Sequence, residues 1–274
     1  MASSRRLRAL ITNDDGIDSP GLWTLAAAAR AAGLDVVVGA PHVDASGVGA
    51  SVLAVREQGR VRLHPHEHPE HPGIPAFAVE GHPAFIVHAA GRGWLDPEPD
   101  LVLSGVNLGA NTGHSVLHSG TVGAALTASL HGWRALAVSL DVGTTVPEHP
   151  HWEAVRHVLP PVIDALLGAD DGTVLSLNVP DRPVEEVREL REARLAPFGS
   201  VQYRVVEKEV DGGGRALHAA LHENGRIEPG TDIALLAEGH PTLTRLRSVD
   251  ELPGVLDTVP VQPVPAGSQP LRTR

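Results

Sequence analysis

The chain is predicted to be an α/β protein built on a largely parallel sheet, from three observations. Short apolar runs recur at residues 7–12, 36–40, 77–79, 101–104, 135–140 and 173–179. Helical stretches separate them, and strands alternating with helices read as βαβ units. Glycine- and hydroxyl-rich segments follow several of the runs, where open α/β sheets hold their ligands. With 274 residues, 42% of them hydrophobic, the chain can bury a sizeable core.

The first run ends in Asn13-Asp14-Asp15-Gly16. Ser19 as N-cap, Pro20 in the first turn and Gly33 as the stop then delimit a crossover helix over residues 22–32. Residues 83–91, 121–130 and 152–167 are predicted as the other helices. After about residue 180 the character changes. A charged segment over 185–194 precedes an alternating one over 201–210, in which Val201, Tyr203 and Val205 share one face and Arg204 and Glu207 stand nearby; residues 215–222 follow. This predicts a hairpin arm and not another βαβ unit. Such an arm has edges to cover, which oligomerisation would do. The expected organisation is an α/β core over 1–184, an arm with a return to the core over 185–250, and a tail over 251–274. Pro263, Pro265, Gly267 and Pro270 mark that tail as poorly ordered.

Charge and composition exclude several classes. A formal charge of −11 argues against a general nucleic-acid surface, which needs clustered Lys and Arg. A small anionic substrate would need a local positive source such as a metal. Cysteine is absent, so there is no disulfide framework, thiolate site or cysteine nucleophile. Lys208 is the one lysine, which removes Walker-type phosphate binding and Schiff-base chemistry unless that residue serves. No stretch approaches the roughly 18 apolar residues of a membrane span, and residues 1–6 lack the marks of a secretory signal. A cytoplasmic location is the default expectation, with no membrane partner.

Four segments could carry chemistry. Asp14 and Asp15 are costly to hold together unless a cation neutralises them, and carboxylate and amide oxygens suit Mg²⁺ or Mn²⁺. The tetrapeptide is equally good turn chemistry. Asp44-Ala45-Ser46-Gly47-Val48-Gly49 could offer amides and the Ser46 hydroxyl to an anion or metal, or be a flexible glycine loop. Ser104-Gly105-Val106-Asn107-Leu108-Gly109-Ala110-Asn111-Thr112-Gly113 has the glycines and amide oxygens of an oxygen-ligand loop. Ser119-Gly120-Thr121-Val122-Gly123-Ala124-Ala125 opens a helix, and its free amides with two hydroxyls make a phosphate cradle without lysine; capping alone also explains it. Together the four make an inventory for metal-assisted phosphate-ester hydrolysis.

These motifs, in this order, resemble those of the SurE family of survival nucleotidases. The resemblance continues through Leu177-Asn178-Val179-Pro180 and Thr231-Asp232 to Gly239-His240-Pro241-Thr242-Leu243-Thr244, from about residue 7 to 249. It implies a Rossmann-like three-layer core, a C-terminal hairpin that joins subunits into a homodimer or homotetramer, and a divalent-metal-dependent 5′-nucleotidase, active on nucleoside 5′- and 3′-monophosphates. By matching positions, one ion (Mg²⁺ or Mn²⁺) per subunit would be held by Asp14, Asp15, Ser46 and Asn107. Asn111, Ser119, Gly120 and Thr121 would line the phosphate site, and a carboxylate, Asp15 before Asp14, would be the base. His118 directly precedes Ser119 and is added as a phosphate contact or proton donor; His114 is a weaker candidate.

The chain departs from the family's pattern beside the site: Ala45, Val48, Gly49 and Ala50 surround Ser46-Gly47, His118 replaces a tyrosine, Thr127 and Ala128 replace an acid and a glycine, and His82 and Phe85 replace threonine and aspartate. Two alternatives therefore stay open, a phosphatase specialised for another small phosphorylated metabolite and a catalytically weak nucleotide-binding protein. A haloacid-dehalogenase phosphatase is a poor fit, because its second aspartate would fall on Gly16. Of the 16 histidines, His64, His66, His68 and His71 are expected in a solvated Pro-rich loop, without a role.

Overall fold

The computed structural model describes residues 5–55, 57–198, 203–210, 214–221 and 227–250. In chain order the elements are β1 (Arg8–Thr12), α1 (Pro20–Ala31), β2 (Asp35–Pro41), β3 (Leu63–His66), β4 (Ala76–Val79), α2 (Pro83–Ala89), β5 (Leu101–Leu108), α3 (Gly120–Ser129), β6 (Arg134–Asp141), α4 (Trp152–Leu167), β7 (Val174–Pro180), β8 (Arg191–Glu192), β9 (Tyr203–Val210), β10 (Gly214–Leu221), α5 (Asp232–Ala237) and β11 (Thr242–Leu246). Among the described residues the strands form a nine-stranded sheet, ordered β3-β4-β2-β1-β5-β6-β7-β11-β8, and a separate antiparallel pair of β9 and β10.

From β4 to β7 every neighbouring pair is parallel. β3 runs antiparallel on β4, and β11 antiparallel on β7. The chain starts in the middle, builds outward to β4, then crosses back to β5 and builds the other way. The switch falls between β1 and β5, and the crevice beyond their carboxyl ends is where such sheets bind ligands.

Strand alternation splits the core into two layers. Ala9 and Ile11 of β1 face one cluster, with Leu22, Leu25 and Ala29 of α1 and Val155, Leu159 and Ile163 of α4. Leu10, between them in sequence, joins the other cluster with Ile86 and Val87 of α2 and Val122, Ala125 and Ala128 of α3. The central runs are buried on both faces, which is why they read as continuous and not alternating. No helix among the described residues is long and apolar enough to cross a membrane.

Three features differ from the sequence reading. The segment following residue 104, expected as a loop, stays in β5 as far as Leu108. Its pairing with β6 shifts register between Ser104 and Asn107, so the glycine-containing stretch bends a strand without ending it. Residues 63–66, expected in a loop, form β3 and pair the edge of β4. The ring of Trp23, 2% exposed, then gathers the histidines: His68 stacks on it at 4.3 Å between ring centres, with His66 and His71 each at 5.7 Å. Finally, β8 and β11, hidden in the charged segment and a short mixed run, complete the sheet. The alternation over 201–210 and 215–222 corresponds to β9 and β10; Val201, His222 and the tail over 251–274 lie outside the described residues.

Candidate active site

β1 delivers the acidic loop to the switch point. Asn13 is completely buried and closes the turn on Gly16: its Oδ1 accepts the Gly16 N–H at 3.2 Å and its Nδ2 donates to the Gly16 carbonyl at 3.0 Å. The turn chemistry is real, and it aims both carboxyls inward. Asp14 is 3% exposed. The Thr121 hydroxyl donates to Asp14 Oδ1, and the Thr121 N–H bonds the same carboxyl. Burial still raises Asp14 above the usual carboxylate range, helped by the charge of Asp44. Asp15 is pushed up to about 7, by burial first, then by Asp14; the Leu108 N–H opposes this. Asp15 Oδ2 is buried and has no hydrogen-bond partner among the described residues.

Two adjacent carboxyls, Asp14 buried and Asp15 half-buried with its orphaned Oδ2 turned inward, form a site whose charged state needs a cation. Asn107, at the end of β5, supplies a third oxygen. Its Nδ2 donates to the Gly109 carbonyl at 2.8 Å, while among the described residues its Oδ1 receives only the Thr121 hydroxyl, at 3.5 Å. Thr121 therefore links Asp14 to Asn107 across the β1–β5 boundary. Among the described residues no three His, Cys, Asp or Glu side chains converge on a metal position. An ion at Asp14, Asp15 and Asn107 would depend on amide and hydroxyl or water oxygens beyond the acidic pair. That donor set fits a hard divalent ion such as Mg²⁺ or Mn²⁺.

The Ser46 loop is fastened to this centre by its backbone. Ala45 N–H donates to the Asp14 carbonyl at 2.8 Å, and Gly49 N–H to the His118 carbonyl at 3.1 Å. Gly49 approaches α3 so closely that a Cβ on Gly123 would sit 2.6 Å from its carbonyl carbon. The Ser46 side chain itself is exposed and turned to Asp44, donating to Oδ1 at 2.5 Å while its N–H reaches the same oxygen at 2.7 Å. No hydrogen bond among the described residues joins it to the acidic pair.

On the other side stands the start of α3. Ser119 Oγ accepts the Val122 N–H at 3.1 Å, a cap worth about 1 kcal/mol, and its O–H remains available to donate. Gly120 lies against Asp14: a Cβ there would be 2.7 Å from Asp14 Oδ2. Thr121, expected to face phosphate, has its hydroxyl and N–H committed to Asp14. Asn111 is pinned by Asn178, whose Oδ1 accepts the Asn111 N–H at 2.8 Å and whose Nδ2 donates to the Asn111 carbonyl at 2.9 Å; the Asn111 amide donates to Ser139 Oγ at 2.8 Å. His118 is exposed, and its ring makes no hydrogen bond among the described residues; His114 is exposed too.

Sequence reasoning named three supporting residues within its motifs but gave them no role. Asp44 is a third carboxylate acting on both aspartates; its signal was an acid two places before a serine, the spacing of an Asx turn. Asn178 lies within a fully buried strand, two residues before its end, an unusual place for an amide without a partner. Asp232, 1% exposed, accepts the N–H groups of Gly113 at 2.7 Å, Ile233 at 2.9 Å and Ala196 at 3.0 Å, and so fixes the end of the asparagine loop.

The family described as Survival protein SurE matches residues 9–203. A 5′-nucleotidase SurE of Methanopyrus kandleri is 37% identical over 259 residues, 92% of this chain and 94% of that protein. A 5′/3′-nucleotidase SurE of Shigella dysenteriae is 33% identical over 246 residues, covering 88% of this chain and 90% of its own length. The crystal structure of the SurE protein from Aquifex aeolicus superposes with a TM-score of 0.72 at 31% identity, over 87% of this chain and 92% of that one.

Proposed function

The chain belongs to the SurE family, and from that premise we propose that it is a phosphomonoesterase that hydrolyses nucleoside 5′- and 3′-monophosphates with a divalent ion at Asp14, Asp15 and Asn107. The observation that carries the reading is the acidic pair at the switch point, Asp14 buried and Asp15 half-buried with its Oδ2 unpartnered among the described residues, beside the first turn of α3. When bound, the ion supplies charge neutralisation and a Lewis acid for the phosphoryl oxygens. Ser46 is the fourth ligand in this reading, and a turn of its side chain away from Asp44 would bring it in.

The chain's own groups divide the remaining work. Thr121 holds Asp14 in place and keeps it ionisable despite burial. The Ser119 hydroxyl and the Gly120 N–H at the start of α3 receive phosphate oxygens, aided by the helix dipole. Asn111, fixed by Asn178, presents its amide from the opposite wall, and His118 lies at the rim as a proton donor. Asp15 Oδ2 takes the proton of the attacking water as the new P–O bond forms and the ester P–O bond breaks. The proton it accepts balances the one taken up by the departing ribose oxygen. Homo-oligomerisation through β9 and β10 and a cytoplasmic location complete the reading.

The test is phosphate release from 5′- and 3′-nucleotides and an aryl phosphate, with Mn²⁺ or Mg²⁺ against chelator. Metal-dependent release from nucleotides is expected. Release from the aryl ester alone would redirect the reading to a specialised phosphatase, and no release from any ester would sink it.

A further inference from the structure

Asp44 follows β2 on a loop that the backbone fixes beside the acidic turn. Ala45 N–H donates to the Asp14 carbonyl at 2.8 Å, and a Cβ on Gly16 would lie 3.5 Å from the Val43 carbonyl carbon and 3.7 Å from the Asp44 nitrogen. We propose that Asp44, without ligating the ion, sets the electrostatic balance of the centre: its charge tightens the hold on the divalent cation and loosens the hold on phosphate. The proposal rests on the nucleotidase reading, with its ion at Asp14, Asp15 and Asn107. It adds what governs loading of the ion and release of the product.

Three observations carry it. The carboxyl is held in one place, since its Oδ1 accepts the Ser46 N–H at 2.7 Å and the Ser46 hydroxyl at 2.5 Å. Both donors are neutral, and among the described residues no basic side chain pairs with Asp44, so its charge is not cancelled locally. That charge reaches the centre: it acts on both Asp14 and Asp15, and no cation figures among the charges acting on either. Among the described residues no three acidic or histidine side chains converge on a metal position, so Asp44 acts across space and not as a ligand.

Formal charge gives the sign of each effect. Asp14 and Asp15, both ionised, cancel a divalent ion, and Asp44 then leaves the loaded centre with negative charge in excess. A phosphate dianion at the first turn of α3 meets that excess, whether it is the ester substrate or the product. Cation and anion therefore respond to Asp44 in opposite directions. One carboxylate acting on a doubly charged group through water-like surroundings is worth roughly three- to ten-fold in affinity. Asp44 is exposed, so dissolved salt should screen the effect.

The test is Asp44→Asn, which removes the charge and keeps an oxygen for the two Ser46 donors, since either residue forms this turn. Mn²⁺ is titrated calorimetrically into the chelator-treated full chain, and the inhibition constant of inorganic phosphate is measured on the Mn²⁺-saturated protein, each at low and at high salt. At low salt the variant is expected to bind Mn²⁺ roughly three- to ten-fold more weakly and phosphate more tightly by a similar factor. Both differences should shrink at high salt. Asp171→Asn makes the same charge change at a side chain 86% exposed, ahead of the amino end of β7, and should alter neither constant. A damaged loop would weaken ion and phosphate together, so a parallel loss overturns the proposal. So do unchanged constants, differences that salt leaves intact, or an equal effect from Asp171→Asn. If the unaltered protein binds no Mn²⁺, the ion reading falls and takes the proposal with it. Mn²⁺ binding with an indifferent Asp44→Asn variant removes the role of Asp44 alone.

Discussion

The hydroxyl of Thr121, in the first turn of α3, donates to Oδ1 of Asp14, 107 positions earlier in the chain, and so joins the acidic loop to the helix that faces it. Thr121 touches Asn107 as well. Residues that orient ligands in this way typically matter ten- to hundred-fold to metal affinity. Thr121→Val keeps the shape and removes the donor, so Mn²⁺ titration should show binding weakened by roughly that factor. Thr121→Ser should bind nearly as the unaltered protein does. Equal affinity in the valine variant would show that the hydroxyl does not hold Asp14.

Gly120 is required by contact distance. A methyl group there would lie 2.7 Å from Asp14 Oδ2 and 2.8 Å from Asp14 Cβ, so either the carboxyl swings away or α3 retreats. Gly120→Ala is expected to lower stability by about 1–3 kcal/mol, the usual cost of overpacking. Phosphate release should fall more than a hundred-fold, because the displaced atom is a metal ligand in the proposed function. Thermal melts and turnover check the two parts separately, and a variant matching the original in both would contradict the close approach.

The fold was legible because its central strands are buried on both faces and leave uninterrupted apolar runs, and because α4 has the amphipathic spacing that the structure assigns to Trp152–Leu167. β3, β8 and β11 were not legible. They are short and lie at or near the sheet margins, where pairing to a neighbour and not local pattern decides the conformation. The acidic pair and Asn107 were recognisable as oxygen donors from their types and their strand-end positions. The use of Thr121 was not, since a threonine at a helix start looks the same whether its hydroxyl faces a phosphate or a carboxyl 107 residues away. Asp44 was hidden for a related reason: its effect on Asp14 and Asp15 arises only when β2 is laid beside β1.

The raised Asp15 carboxyl sets a pH dependence in protein freed of metal by chelator. Unfolded, Asp15 loses its proton near 3.8; folded, it holds it to about 7. Between those values the native state binds the extra proton, so stability is greatest at the acid end and declines as pH rises toward 7. Asp15→Asn should remove this contribution, and the thermal midpoint of the variant minus that of the unaltered protein should grow from pH 4 to pH 7.5. A divalent ion binds the ionised pair, so its stabilising effect should increase over the same range. A difference between the two proteins that stays constant with pH would mean that Asp15 titrates normally when folded.

Asn111 and Asn178 exchange two hydrogen bonds, the side chain of Asn178 satisfying both the N–H and the carbonyl of Asn111. Asn178→Ala leaves both backbone groups unpaired in a partly buried place, which should cost about 1–3 kcal/mol. The Asn111 side chain keeps its bond to Ser139, so the amide remains present but less firmly aimed. If Asn111 contacts phosphate as proposed, KM for nucleotides and the inhibition constant of phosphate should rise together, by about ten-fold for one charge-assisted bond, with kcat less affected. Asn178→Asp separates the two bonds, because a carboxylate accepts the N–H but cannot donate to the carbonyl. It also buries a charge at a 3% exposed position against the Asn111 carbonyl, so its cost in stability should be at least that of alanine. Loss of stability with unchanged phosphate affinity would leave the pair a structural clasp and remove Asn111 from the binding site.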